Sequence, residues 1–79
     1  MLRNKSKNLL KKCILNQNPS LFDLISDKNI LNLNTDDYNE LREAVCDELM
    51  ENGFEIDFKI TQYGIELENL IDELGSLFL

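Results

Sequence analysis

The chain has 79 residues, a net charge of −7 and a hydrophobic content of 43%. A chain of this length buries about 60% of its unfolded surface, so we expect a single helical domain over residues 1–79. It has no histidine, the usual general base and the commonest transition-metal ligand, and its three glycines are isolated, which excludes a glycine-rich phosphate loop. We therefore expect a binding or structural protein rather than an enzyme, with no cofactor and no metal.

Export and membrane insertion are not indicated by the sequence. The two leucines at positions 9 and 10 are followed at once by two lysines, so the apolar run is shorter than a signal peptide needs. Nothing approaches the roughly 20 apolar residues that span a bilayer. Cys13 and Cys46 each lie in an apolar stretch without a CxxC pair, which is typical of reduced, buried thiols. These features predict a cytoplasmic protein.

The first predicted helix is basic and amphipathic and covers residues 2 to about 16. Its apolar positions share one helical face, with the lysines outside that face: Leu2, Leu9, Leu10, Cys13 and Ile14. Pro19 ends the helix because the residue before a proline is pushed out of the helical region. Ser20 then offers an N-cap for a short second helix over residues 21–27.

The third predicted helix follows a segment of ambiguous pattern. In residues 29–34, three apolar residues lie among asparagines, which fits a short strand, a helical turn or a connector equally well, and we interpret the segment as a connector. Asn34 or Thr35 caps the helix, which runs to Asn52. Its buried stripe consists of Tyr38, Leu41, Val45 and Leu49. Gly53 is expected to end the helix in the left-handed C′ position.

The opposite face of the third helix carries five carboxylates on one arc, flanked by Asp37 and Glu48. We name these five residues the acidic ridge: Asp36, Glu40, Glu43, Asp47 and Glu51. Like charges at i,i+4 oppose one another by about 0.2–0.5 kcal/mol per pair, so the ridge reduces helix stability. Two interpretations are open. The ridge either keeps the protein soluble and is neutralised by the lysine-rich first helix, or it binds a basic partner.

The segment 54–60 alternates apolar and charged residues, the period-2 signature of a half-buried strand. A single strand cannot stand alone, so three arrangements are open: a two-stranded ribbon, pairing with the edge of a second copy, or a linker that inserts Phe54, Ile56 and Phe58 into the bundle. The linker is the simplest of these. If the segment instead pairs between copies, Ile56 and Phe58 are candidates for self-association.

The last predicted helix is capped by Thr61 and ends near Gly75. Its buried stripe consists of Tyr63, Leu67, Leu70, Ile71 and Leu74. Gly64, in its first turn, is tolerated most easily where another backbone approaches closely. The apolar end of the chain either folds back onto the core or contacts a partner, which adds Leu77 and Phe78 to the candidates for self-association.

Charge is divided unevenly along the chain. Residues 1–22 carry +5 and no acid, whereas residues 23–79 carry −12. This pattern fits either a basic arm that binds an acidic partner or a basic helix that complements the protein's own acidic helices, and we favour the second. Five cations without interleaved aromatic residues make a poor footprint for nucleic acid. The first helix also lacks the Trp or Phe anchors of a helix that lies on a membrane.

The pattern as a whole predicts a mainly α fold: a small bundle of three to four helices, with a short two-stranded ribbon or an extended linker at 54–60. In size, acidity and lack of catalytic groups, the chain is similar in general character to small inhibitory partners such as immunity proteins and antitoxins. That likeness implies a small acidic binding module whose partner presents a basic protein surface. The alternative is a homodimeric structural or assembly protein with no ligand of its own.

Overall fold

The structure, a computed structural model, describes residues 4–25 and 34–78. This part of the chain forms three α-helices and one 3₁₀-helix: α1 (Asn4–Gln17), the 3₁₀ segment (Pro19–Ile25), α2 (Thr35–Asn52) and α3 (Gln62–Phe78). Within the described ranges the only β-type pairing is an isolated antiparallel bridge between Phe54 and Ile60, so no strand is formed. The mainly α bundle predicted from the sequence is confirmed.

The three α-helices contact one another around one core. Its buried apolar side chains come from every helix: Leu10, Cys13, Ile14, Leu21, Ile25, Leu41, Ala44, Val45, Leu67, Leu70 and Leu74. Partly buried side chains pack at its margin: Leu9, Tyr38, Leu49, Tyr63 and Ile71. The apolar stripes predicted for α2 and α3 are confirmed, and so is the α1 stripe within the described residues. Burying each large aliphatic side chain stabilises the fold by about 1.5–3 kcal/mol.

The region after α1 differs from the prediction. The helix over residues 21–27 is instead the 3₁₀ segment, which begins two residues earlier. Ser20 is not its N-cap, because the Ser20 hydroxyl donates to Asn18 Oδ1 at 2.6 Å. The physical reason is Pro19, whose fixed φ and missing N–H suit the first position of a helical turn. The connector predicted over residues 29–34 lies outside the described residues, apart from Asn34.

Helix α2 begins and ends where the sequence predicts, but the backbone conformation at Gly53 differs from the prediction. Asn34 Oδ1 accepts a hydrogen bond from the Asp37 N–H at 2.8 Å, which confirms the N-cap. Gly53 has a φ of −92°, so it is not in the left-handed region. Glycine is needed there for space, because a Cβ atom would lie 2.5 Å from Leu49 Cδ1 and 3.2 Å from Gly64 Cα.

Helix α3 begins where the sequence predicts and ends later. Thr61 Oγ1 accepts a hydrogen bond from the Gly64 N–H at 3.0 Å, which confirms the cap. A Cβ atom on Gly64 would collide with the carbonyl oxygen of Gly53, so the close backbone approach predicted for Gly64 is confirmed. The prediction that Gly75 ends the helix is wrong, because α3 continues to Phe78. In the described ranges, no helix combines the length and apolar character needed to cross a membrane.

Candidate functional site

The acidic ridge lies on the outer face of α2, and all five of its residues are exposed. Glu51 accepts a hydrogen bond from Gln17 Nε2 at 2.9 Å. No residue within 4–25 or 34–78 forms an ion pair or a side-chain hydrogen bond with Glu40, Glu43 or Asp47. The ridge therefore presents carboxylates that the described part of the molecule does not neutralise.

Two lysines of α1 contact α3 rather than the ridge. Lys5 Nζ lies 3.3 Å from Glu66 Oε1, and both side chains are partly or largely exposed. The Lys12 ammonium lies 4.5 Å from the centre of the Tyr63 ring, a cation–π contact. The favoured interpretation that the basic helix complements the protein's own acidic helices thus holds at the Lys5–Glu66 pair of α1 and α3. Neither contact involves a carboxylate of the ridge on α2.

Glu48 differs from its neighbours on α2, because it points inward and is only 1% exposed. Its carboxylate accepts four hydrogen bonds from three helices and their ends: from Tyr63 Oη at 2.6 Å, Asn52 Nδ2 at 2.7 Å, Asn16 Nδ2 at 2.9 Å and Gln17 Nε2 at 3.0 Å. These bonds join the end of α1, the end of α2 and the start of α3. From the sequence, Glu48 was expected on the flank of the ridge, and this network was not predicted.

The network sets the protonation of its members. Burial by itself raises the pKa of Glu48, but hydrogen bonds from Tyr63, Asn16, Asn52 and Gln17 together outweigh burial and lower the pKa from 4.5 to about 2. Burial and the hydrogen bond to Glu48 hold the pKa of Tyr63 above its ordinary value. Glu48 is therefore a buried, fully hydrogen-bonded carboxylate at neutral pH.

Cys13 lies next to this network and is fully buried. Burial, and then the charge of Glu48, raise the pKa of its thiol from 9.0 to about 12, against opposing contributions from Tyr63 and Lys12. The prediction that Cys13 is a core residue is confirmed. Cys46 is partly buried, and both cysteines are free. Within the described ranges, no group of three or more His, Cys, Asp or Glu residues is placed to hold a metal ion.

The segment between α2 and α3 forms a tight hairpin-like loop. The Glu55 N–H donates to Lys59 O at 2.8 Å, the Phe58 N–H donates to Glu55 O at 2.9 Å, and the Thr61 N–H donates to Gly53 O at 2.9 Å. The prediction of a linker that inserts its apolar side chains into the bundle is wrong. The loop closes through its own backbone hydrogen bonds and runs over the surface, so Ile56 and Phe58 in its middle remain exposed.

Four apolar side chains at this end of the bundle face solvent, and we name them the apolar tip: Met50, Phe54, Ile56 and Phe58. Their exposed fractions are 74%, 38%, 101% and 88%, in that order. The four line a shallow surface groove together with Glu51 and Glu55. Of the self-association candidates, Ile56 and Phe58 therefore share one surface. The side chains of Leu77 and Phe78 lie outside the described part of the molecule.

The backbone at Phe58 is strained. Its φ of 66° lies in the left-handed region, which bulky side chains rarely adopt and which costs an L-residue about 1–2 kcal/mol. Asp57 Oδ1 supports the turn by accepting a hydrogen bond from the Lys59 N–H at 3.2 Å. Glycine or asparagine would adopt this conformation more easily. An exposed phenylalanine here does not help folding, and strain of this kind is typical of functional sites.

Comparisons with known proteins give no family. No protein-family model matches the chain, and no curated protein and no solved structure matches it significantly. The fold and the surface therefore define the class: a small α-helical bundle that presents an acidic ridge along α2 and an apolar tip at the C-terminal end of that helix.

Proposed function

We propose that the protein is a non-catalytic binding module that binds a basic protein surface through the acidic ridge. The observation that supports this proposal best is the set of exposed carboxylates on one face of α2, three of which no described residue neutralises. Four i,i+3 or i,i+4 pairs of like charge within the ridge cost about 1–2 kcal/mol in total. A basic partner would offset that cost on binding.

The contacts of α1 support binding over internal neutralisation. Lys5 is engaged by Glu66 and Lys12 by the Tyr63 ring, both on α3. A field of one sign along an exposed helix steers an oppositely charged partner and suppresses like-charged ones. The small size and acidity of the chain fit an inhibitor of the immunity-protein or antitoxin type.

The test is a pair of charge reversals with a matched control. Glu43→Lys with Asp47→Lys reverses two ridge carboxylates spaced i,i+4. Glu68→Lys with Asp72→Lys makes the same change at the same spacing on the exposed face of α3. The probe is a labelled oligolysine peptide of about twelve residues, and binding is measured by fluorescence anisotropy at about 20 mM salt, where surface charges are weakly screened.

We expect the ridge reversal to weaken binding of the peptide about tenfold or more, and the α3 reversal to weaken it much less. Far-UV circular dichroism should show the same helix content in both variants. Equal losses of affinity in the two variants would mean that peptide binding depends only on the net charge of the protein. That result would contradict binding through the ridge.

A homodimer is the second candidate, because Ile56 and Phe58 are exposed as an interface would require. Charge opposes it. A twofold contact through the apolar tip would bring Glu51 and Glu55 of one copy close to those of the other. We expect sedimentation to give a monomer at low salt. A dimer that Ile56→Lys dissociates would support the structural alternative instead.

A further inference from the structure

We infer that the apolar tip anchors the same interface, and that it takes an apolar side chain of the partner flanked by lysine or arginine residues. The occupant is therefore an amphipathic basic segment of another protein. This inference rests on the proposed function, because it assumes that the acidic ridge binds the basic residues of that segment.

The ridge and the tip form one continuous surface. Glu51 is the last ridge residue and also lines the groove of the apolar tip. Met50 follows Asp47 by three residues and Glu43 by seven, so it lies on the same face of α2. A segment that places its cations along the ridge would therefore bring its next side chains to Met50, Phe54 and Ile56.

The chemistry of the groove matches such a segment. Its lining is mainly apolar and also includes Glu51 and Glu55, and Asp57 lies with Ile56 on the adjoining surface. Lys59 offsets Asp57 in part, since their charged atoms lie 3.8 Å apart. Interfaces typically combine a central apolar anchor with a charged rim, and the anchor supplies most of the affinity. An apolar side chain between two cations would satisfy both parts of this groove.

The strained residue points to the same function. Phe58 keeps a large aromatic side chain in solvent at a backbone position that favours glycine or asparagine. Folding gains nothing from this choice, whereas a partner would gain an exposed aromatic anchor. Phe58→Asn should therefore keep or raise the melting temperature while weakening binding, which separates loss of function from loss of fold.

The experiment compares two labelled peptides of about twelve residues with equal positive charge. In one, leucines alternate with lysines; in the other, serines replace the leucines. We expect the wild type to bind the leucine peptide about tenfold or more tightly than the serine peptide. Ile56→Ser and Phe58→Asn should remove that preference and leave serine-peptide binding unchanged. Leu15→Ser, which alters a 54% exposed leucine of α1 outside the groove, should keep the preference.

The outcomes distinguish this inference from the proposed function. If Ile56→Ser and Phe58→Asn retain the preference for the leucine peptide, the apolar tip is not the anchor. The proposed binding through the ridge would still stand or fall on the reversal of Glu43 and Asp47. If reversal of Glu43 and Asp47 leaves serine-peptide binding unchanged, the proposed function fails, and this inference fails with it. A wild-type dimer in sedimentation that Phe58→Asn dissociates would also overturn the inference, because the tip would then bind a second copy.

Discussion

Replacing Glu48 by glutamine tests whether the buried carboxylate holds the three helices together. Glutamine has nearly the same shape as a protonated glutamate, so Glu48→Gln mimics the loss of the charge without creating a cavity. Its amide nitrogen is a donor and would take the place of one carboxylate oxygen. It would then face two donors, either Asn16 and the Tyr63 hydroxyl or Gln17 and Asn52. The variant should therefore be less stable than the wild type at neutral pH.

The size of the effect follows from the pKa of Glu48. Folding lowers that pKa from 4.5 to about 2, and each unit corresponds to 1.36 kcal/mol, so the charged carboxylate contributes about 3 kcal/mol. Because the folded pKa is the lower one, this stability is complete above the unfolded value of 4.5 and is lost as the pH falls towards about 2. At pH 3 about 1.5 kcal/mol of it should be left. A domain of this size has a total stability of about 4–12 kcal/mol, so the change is large.

The assay is urea unfolding of both proteins, followed by far-UV circular dichroism at several pH values between 7 and 3. We expect the free energy of unfolding of Glu48→Gln to be about 3 kcal/mol lower at pH 7, and the difference to shrink by about half at pH 3. The control is Glu43→Gln, which alters an exposed ridge carboxylate and should change stability by less than about 0.5 kcal/mol. A Glu48→Gln effect that is independent of pH would refute the reasoning.

Three further predictions concern the packing of the bundle. Gly64→Ala should lower the free energy of unfolding by about 1–3 kcal/mol in urea titrations, because its Cβ would collide with the backbone of Gly53. An effect within error would show that Gly64 of α3 and Gly53 are not in contact. Gly75→Ala should raise the free energy of unfolding by about 0.5–1 kcal/mol, because Gly75 lies inside α3, where alanine is more favourable than glycine. The new Cβ would be 3.6 Å from Tyr38 Oη, an ordinary contact distance, so destabilisation would contradict this placement. Cys13 should resist iodoacetamide at pH 8 in the native protein and react after unfolding, because burial and the charge of Glu48 raise the pKa of its thiol to about 12. Rapid labelling of the native protein, detected by peptide mass spectrometry, would contradict the burial of Cys13.

The sequence predicted those features that depend on neighbouring residues. Asn34 and Thr61 were identified as helix caps because a cap is a local arrangement of one side chain and the next turn of backbone. The apolar stripes were identified because helical periodicity is also local. The outward orientation of Glu43 and Asp47 followed from the same periodicity and is confirmed.

The features that the sequence did not predict depend on distant residues. Glu48 bonds to Asn16, which is 32 positions away, and no local pattern indicates that contact. One signal was present, because Glu48 follows Val45 by three residues and so continues the buried face of α2. The close approach at Gly53 also involves a distant residue, because a Cβ atom at position 53 would lie 3.2 Å from Gly64 Cα.

The predicted burial of Phe54, Ile56 and Phe58 is wrong for a different reason. If residues 54–60 formed a strand, their alternating pattern would place the apolar side chains on one face. Burial of that face would stabilise the fold, so the pattern favours a buried Phe54, Ile56 and Phe58. The loop instead closes through its own backbone hydrogen bonds and leaves these side chains outside. If these side chains bind a partner, as we propose, their exposure cannot be predicted by asking which arrangement of the isolated chain is most stable.

The most direct test of binding through the ridge is to map the site by NMR. The ¹⁵N-labelled protein is titrated with the leucine-and-lysine peptide, and the amide shifts of α2, the loop and α3 are followed. We expect the largest shifts to form one continuous surface from Glu40 and Asp47 to Ile56, with little change at Glu68 and Asp72. Shifts centred on α3, or spread evenly over all exposed acids, would contradict the account.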